Sequence, residues 1–424
     1  MQHAQTAQSA SSDDLFSPYD GTWELSTFFQ QSASGQSHIL ALLSEAVKQG
    51  IIEAAREVGS QDMNPLRRQL LDQIFALTGV AMALPQDELA NADILERMAK
   101  ALKKPTRVDQ TTLTHLESVT RKKRQRFVES EGADWYDLFC ETSGHLNVIT
   151  RFLEESQSSA TYTSLCVLAG ETALLLGDIF FNAGQNKTSE RYYTLALEAA
   201  REAHHAILQA VILGRISFIP IYEGEPQKAL PSVEQAQSLI SQSTADVIPA
   251  WLWAIAGEAY ANVGNVVASS EAMAKAEWLI NRGRSGNVSM CFEEDAARAI
   301  FSPFYLLSYK GICSIRLKQP ETAQESLRAS LNQVDPTHLQ HRSIALVDLG
   351  MTYVQQADIR EACQYASQAL SLVGQTGSGR VLQRAFTFRC ALDPWKHTMF
   401  VKQLDEQLTS LLNSERFRIM HEHK

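Results

Sequence analysis

Eleven side chains between residues 178 and 355 carry the chemistry this sequence can offer. They are Asp178 and Asn182; Phe218 and Tyr222; Trp251, Glu258 and Asn262; Tyr305 and Arg316; Met351 and Gln355. Amides bond both the N–H and the C=O of an extended chain, aromatic rings supply anchors, and Asp178, Glu258 and Arg316 add charge. That is the chemistry of recognition, not of bond-making. The plainer account of any one of them is that it faces a neighbouring helix.

Other constellations point to less. His204-His205 has no acidic or cysteine partner at metal spacing, so neither a metal nor a cofactor is expected. Gly283-Arg284-Ser285-Gly286 lacks both the GxxxxGK[ST] of a phosphate loop and a preceding strand, and reads as a flexible loop. No GxSxG occurs and no acid–base set converges, so catalysis is not expected. The run Arg121-Lys122-Lys123-Arg124-Gln125-Arg126 offers five cations to phosphates or to an acidic partner. A solvated helix face balanced by Glu129 and Glu131 is its plainer reading. Six cysteines (Cys140, Cys166, Cys291, Cys313, Cys363, Cys390) form no CxxC, and five lie in apolar helical stretches. Reduced, buried thiols are expected, which suits a cytoplasm.

The elements that must position these residues are helical, and from about residue 160 they repeat. Aligned small positions 177, 217, 257, 311 and 350 are spaced 40, 40, 54 and 39. Twelve residues after each stands Ser189, Ala229, Ser269, Ala323 or Ala362; nineteen after, Ala196, Ala236, Ala276, Ser330 or Ala369. Small residues at both offsets are what two closely crossing helices demand, because larger side chains push the backbones apart. The 54-residue interval contains an insertion at about 281–295. Units of this kind bury their apolar faces only by stacking, which builds a continuous core with a concave groove.

Composition agrees. Hydrophobic residues make up 45% and charged residues 20%, which affords a packed core and excludes wholesale disorder. With 21 Gly and 12 Pro, turn-rich all-β designs are disfavoured. The net charge of −10 gives no global attraction to nucleic acid or anionic membrane. The polar first residues lack the apolar stretch of a signal peptide. The run from Arg67 to Pro85 resembles an export signal but carries Asp72 and Gln73 in its apolar part and is too short to span a bilayer; a buried helix is expected.

The frame Trp253, Gly257, Tyr260, Gly264 and Ala276 resembles the tetratricopeptide repeat, as do Gly350, Tyr353, Ala362 and Ala369, and Gly224, Ala229 and Ala236. Further stretches resemble tetratricopeptide proteins of actinobacteria and filamentous soil bacteria, many of them helix-turn-helix transcriptional regulators. These stretches are Arg67–Leu71, Leu168-Ala169-Gly170-Glu171, Glu223–Leu230 and Leu392-Asp393-Pro394-Trp395-Lys396. The resemblance implies an all-α superhelix, whose groove is lined by the eleven side chains named above. A leader is expected at 1–35, a helical region at 36–158 packed on five helix pairs at 159–372, capping helices at 373–414 and a polar tail at 415–424. It also implies a non-catalytic, cytoplasmic regulatory protein that binds a peptide, a protein segment or a small effector, with no membrane partner and with oligomers allowed. Ahead of Arg67 no complete helix-turn-helix is found, since no basic recognition helix follows Ala46–Ile51. Direct DNA binding through the 37–58 helices or the 121–126 cluster is therefore the alternative, and a scaffold without an effector is a further one.

Overall fold

The computed structural model describes residues 108–130, 135–154, 158–240, 247–282 and 301–413. The leader, the helices expected at 37–58 and in the run from Arg67 to Pro85, most of the 281–295 insertion with Cys291, and the polar tail lie outside the described residues. Everything regular among the described residues is helical. Helices α1 (Gln110–Ser130) and α2 (Trp135–Glu154) precede five pairs. These are α3 (Ser159–Asn182) with α4 (Asn186–Glu202), and α5 (Ala206–Ile216), continued by the short α6 (Phe218–Tyr222), with α7 (Leu230–Leu239). Then come α8 (Val247–Asn262) with α9 (Val266–Arg282), α10 (Pro303–Arg316) with α11 (Pro320–Gln333), and α12 (Leu339–Gln355) with α13 (Ile359–Thr376). Helices α14 (Gly379–Ala391) and α15 (Met399–Leu412) follow. The members of each pair pack on one another, and successive pairs pack in turn.

The small-residue register is where the pairs touch. All ten positions at the two offsets are buried, from Ser189 and Ala196 to Ala362 and Ala369. Gly311 faces the Leu327 side chain so closely that an added Cβ would lie 2.5 Å from Leu327 Cγ; Gly177 faces the ring of Tyr193, also sixteen residues on, in the same way. The residue at the first offset adds a bond where it is serine. Ser189 Oγ donates to the carbonyl of Gly177 (2.8 Å) and Ser269 Oγ to that of Gly257 (2.9 Å).

Each first helix also ends alike. Seven residues after the register position, Gly184, Gly224, Gly264, Lys318 and Ala357 all adopt positive φ, at 75°, 80°, 75°, 57° and 59°. The following amide then reaches back to the helix, as Asn265 N to Tyr260 O and Asp358 N to Tyr353 O (both 2.9 Å), closing the helix end in a Schellman turn. The second pair departs from the expected unbroken first helix. Pro220 has no N–H to give the carbonyl of Ile216 and its ring crowds that turn, so the helix breaks at Ser217.

One apolar cluster runs from Leu113, Trp135 and Phe152 through the first three pairs to Leu306 and Cys313, so α1 and α2 share their core with the repeats. Phe139 stands edge-on to Phe180 at 5.0 Å, and Phe180 stacks on Tyr192 at 5.4 Å. A second cluster joins α12, α13, α14 and α15 around Phe388 and Leu404. Helix α3 is long and apolar enough to cross a membrane, but 83% of its most apolar window is buried inside the fold. The cysteines depart in part from the expected burial: Cys166, Cys313 and Cys363 are buried and free, Cys140 is half-buried and Cys390 is exposed. Cys390 lies on the outer side of α14, whose inward side chains are Val381, Ala385 and Phe388.

Two expectations follow. Ala357 and Lys318 hold a left-handed conformation that costs a side-chain-bearing residue about 1–2 kcal/mol, so Ala357→Gly should raise unfolding free energy by about 1 kcal/mol in urea titration. No change, or a loss, would show that the turn is not held as described. A chain lacking residues 1–155 strips the cover from α3 and should lose its cooperative melt; a melt at the full-length temperature would show that the two regions have separate cores.

Candidate functional site

The first helices of the pairs carry charged side chains into a common interior. Asp178 of α3 is 5% exposed; its carboxylate accepts from Tyr193 Oη (2.8 Å), lies 3.3 Å from Arg215 Nε of α5 and 3.8 Å from Arg124 of α1. Arg215 in turn covers the rings of Trp251 (5.3 Å) and Phe218 (5.9 Å). Asp348 of α12 receives both Nε and Nη2 of Arg384 from α14, at 2.6 and 2.8 Å, the planar fork a carboxylate favours. The two buried aspartates are tolerated because each has found an opposite charge.

Glu258 of α8 is only 3% exposed. Its carboxylate has neither hydrogen bond nor ion pair among the described residues, although the charges of Arg384, Arg316, Arg380 and Asp348 all act on it. Burial raises its pKa above the usual carboxylate value, and the three arginines pull the other way. The same carboxylate acts on Tyr309 and Cys313 of α10. Tyr309, Cys313 and Arg316 are spaced by four and three residues, so one face of α10 looks at Glu258.

The interior is closed by residues 158 apart in sequence. Gln340 Nε2 donates to Asn182 Oδ1 (3.2 Å) and to Ser378 Oγ (3.1 Å). Arg380 Nη2 donates to Tyr222 Oη (2.5 Å), with its guanidinium 4.8 Å from the Phe181 ring and 4.9 Å from the Tyr222 ring. Gly379 packs so closely on the turn after α3 that a Cβ would lie 2.6 Å from the Ala183 carbonyl oxygen. The fifth pair and its cap therefore meet the end of the first.

Against the eleven sequence candidates, the structure distinguishes three groups. Phe218 and Trp251, expected as groove anchors, are core residues instead, 4% and 1% exposed; an added Cβ on Gly214 would strike the Trp251 ring, so α5 and α8 enclose it. Asn262 turns back on its own helix, donating to the Glu258 carbonyl (2.9 Å), and Met351 is half-buried against two apolar clusters, one joining α10, α11 and α12 and the other α12 to α15. Asp178, Asn182, Tyr222, Glu258, Arg316 and Gln355 belong to the interior. Gln355 Nε2 donates to the carbonyl of Ile315 (2.8 Å), while its buried Oε1 has no partner. Arg316 is half-buried and forms neither a hydrogen bond nor an ion pair among the described residues. Tyr305 stands edge-on to His341 at 4.7 Å.

Arg215, Tyr309, Asp348, Arg380 and Arg384 were not among the sequence candidates. Arg215, Tyr309 and Asp348 occupy one register position, two residues before 217, 311 and 350, where the other pairs have Leu175 and Ile255. A polar residue at a position otherwise apolar was the available signal.

The 121–126 run faces inward more than outward. Lys123 is buried and pairs with Glu141 at 3.3 Å, Arg126 with the same carboxylate at 2.8 Å, and Arg124 reaches Asp178 and the Glu171 carbonyl. The balancing acids are thus on α2 and α3. Glu129 receives the Gln125 amide instead, and Glu131 lies outside the described residues. Only Arg121 and Lys122 of the five cations are exposed. No group of three or more His, Cys, Asp or Glu side chains that could hold a metal ion occurs among the described residues. Neither a protein-family model nor a curated protein matches the chain.

Two buried histidines set a pH dependence. His341 Nε2 lies 3.0 Å from Ser308 Oγ, itself 2.8 Å from Ser330 Oγ, knitting α10, α11 and α12. Burial, with His338 and Arg380 nearby, lowers its pKa to about 4; burial and Lys123 lower that of His145 to about 3. Both folded values lie below the unfolded one, so the unfolded chain binds more protons and stability falls as pH drops below about 6.5. Each histidine steepens that fall by up to ~1.4 kcal/mol per pH unit. Glu258 and Glu171, with raised values, act oppositely at lower pH, so the test is a difference. The stability gap between wild type and His341→Asn should narrow between about pH 7 and pH 5 in urea titrations; a constant gap would show that His341 titrates alike in the folded and unfolded chain, and a widening one that it stays protonated in the fold.

Proposed function

We propose that this chain is a non-catalytic regulatory protein of the tetratricopeptide kind, whose helix pairs wind into a superhelix and bind an effector on the inner face. The observation that carries this reading is Glu258: a carboxylate on a side chain 3% exposed, without a hydrogen bond among the described residues, under the charges of three arginines brought from two other helices, α10 and α14. Withdrawing a charge from water without a hydrogen bond costs stability, and a bound molecule that supplies the bond offsets that cost. A core built for stability alone is served as well by apolar side chains.

The mechanism is a shift of population. Two polar contacts, Asn182–Gln340 and Tyr222–Arg380, join the two ends of the array. An effector that touches both sides of the closure binds the tighter winding better, and the equilibrium moves by that difference in affinity and no more. The changed outer surface is then read by a partner, in bacterial transcriptional regulation or signalling within the cytoplasm. The inward ion pairs of Lys123, Arg124 and Arg126 favour this over direct DNA binding through the 121–126 run.

Native mass spectrometry of the full chain, incubated with the peptide and small-molecule fraction of a bacterial extract, tests the reading. A retained compound is expected on the wild type and not on the Glu258→Gln/Arg316→Gln double variant. Retention unaltered by the double variant, or no retention at all, would contradict an interior effector site.

A further inference from the structure

The third pair differs from the others on its outer side. Among the described residues seven large apolar side chains are exposed, and four of them, Val263, Val266, Val267 and Trp278, belong to this pair. On α9 the exposed residues Val267, Glu271, Ala274 and Trp278 are spaced by four, three and four. They form one stripe along the helix, on the side turned away from the buried Ala272, Met273 and Ala276. Val267 is 68% and Trp278 50% exposed. At the positions equivalent to 267, 274 and 278 every other pair is polar, with Lys187, Thr194 and Glu198 in the first and Glu321, Arg328 and Asn332 in the fourth. An outer helix face that only meets water is polar, so the apolar stripe marks a surface of contact.

The charges along this stripe are ordered. Glu271, in its first half, makes neither a hydrogen bond nor an ion pair among the described residues. The cations stand in the second half, Lys275 Nζ 4.6 Å and the Arg282 guanidinium 4.7 Å from the centre of the Trp278 ring. A spacing of four, three and four reads the same in both directions. A reversed copy of the helix therefore sets Val267 against the partner's Trp278, and Glu271 beside the partner's Ala274 and Lys275. A copy laid parallel sets acid on acid and cation on cation. We propose that α9 is the docking surface for a second copy of this chain, the two α9 helices packing antiparallel about a two-fold axis. Under that symmetry every contact is made twice, and Ala274, small and near the axis, lets the helices approach to about 8–10 Å. The 17 residues of α9 span about 25 Å, which places the contact at the small end of protein interfaces, with dissociation in the micromolar range. As the second helix of its pair, α9 carries this surface independently of the effector reading above.

Sedimentation velocity of the full chain between about 1 and 100 µM tests the assignment. A reversible monomer–dimer equilibrium is expected. Trp278→Ala and Glu271→Lys should each weaken it by at least about tenfold, with the helical circular dichroism and melt of the wild type retained. The charge exchange Glu271→Lys/Lys275→Glu should bring the dimer back to within about threefold of wild type, because it reverses both members of each pair across the axis. A second measurement does not depend on those variants. With Cys291 and Cys390 replaced by serine, a short bis-maleimide should join Ala274→Cys into a covalent dimer, and Thr194→Cys, at the equivalent position of the first pair, should stay monomeric. If a variant does not fold, the cross-link decides alone. A chain monomeric throughout the range would overturn the assignment and show that the stripe is covered by another segment of the chain or by a different protein. A dimer indifferent to Trp278→Ala and Glu271→Lys, or cross-linked no better through Ala274→Cys than through Thr194→Cys, would overturn it in favour of another face.

Discussion

The structure depends on how closely the two helices of each pair approach. At Gly177 and Gly311 there is no room for even one more carbon between the backbone and the partner helix, and at Ser189, Ala196, Ala323 and Ser330 the partner offers the smallest side chains available. Dispersion and apolar burial reward such proximity only when the surfaces interlock, and a single methylene too many forces the backbones apart. Repeating the same approach five times fixes how each pair lies on the next. It therefore also fixes which side chains of the first helices end up facing one another.

Those inward side chains are costly ones. Asp178 and Asp348 are buried, and each is matched by an arginine on another helix, Arg215 and Arg384, which are themselves half-buried. Matching requires that α3 and α5, or α12 and α14, hold their spacing to within a hydrogen bond's tolerance, which the tight pair contacts provide. Packing and charge are thus coupled: loosening a pair contact unmates an ion pair, and the opposite charge left behind makes the loosening more expensive. The contacts that join the fifth pair to the first are of another kind. Arg380 and Gln340 meet Tyr222 and Asn182 through hydrogen bonds, Arg380 also covers the Phe181 and Tyr222 rings, and Gly379 lies on the turn at Ala183.

The paired helices were legible in the sequence because close approach leaves a compositional mark, a small residue at fixed offsets, and that mark lies at the contacts. The shared left-handed turn was legible where it is glycine, at Gly184, Gly224 and Gly264, and hidden where Lys318 and Ala357 bear its strain. The break at Ser217 was written in Pro220, but the register alone passes straight through it. The interior was only half legible. Repeat register says which way a helix position points, and so located Asp178, Glu258 and Arg316. It does not say whether a neighbour covers it, and so it offered Trp251 and Phe218, which α5, α8 and the Arg215 guanidinium enclose. Arg380 and Arg384 lie on a capping helix outside the repeat, where no register applied. They act only because that helix returns to the beginning of the array.

The meeting of the two ends is what turns a row of helix pairs into an enclosure with an inside. Pulsed electron–electron resonance between spin labels on the exposed positions Lys187 of α4 and Thr387 of α14, with Cys390 replaced, measures it directly. A single, narrow distribution at short distance is the expected result, broadening when Arg380→Ala removes the closing contact. A broad distribution at long distance in the unaltered chain, unchanged by Arg380→Ala, would contradict the account: the pairs would then form an open row, with no interior for the charges to share.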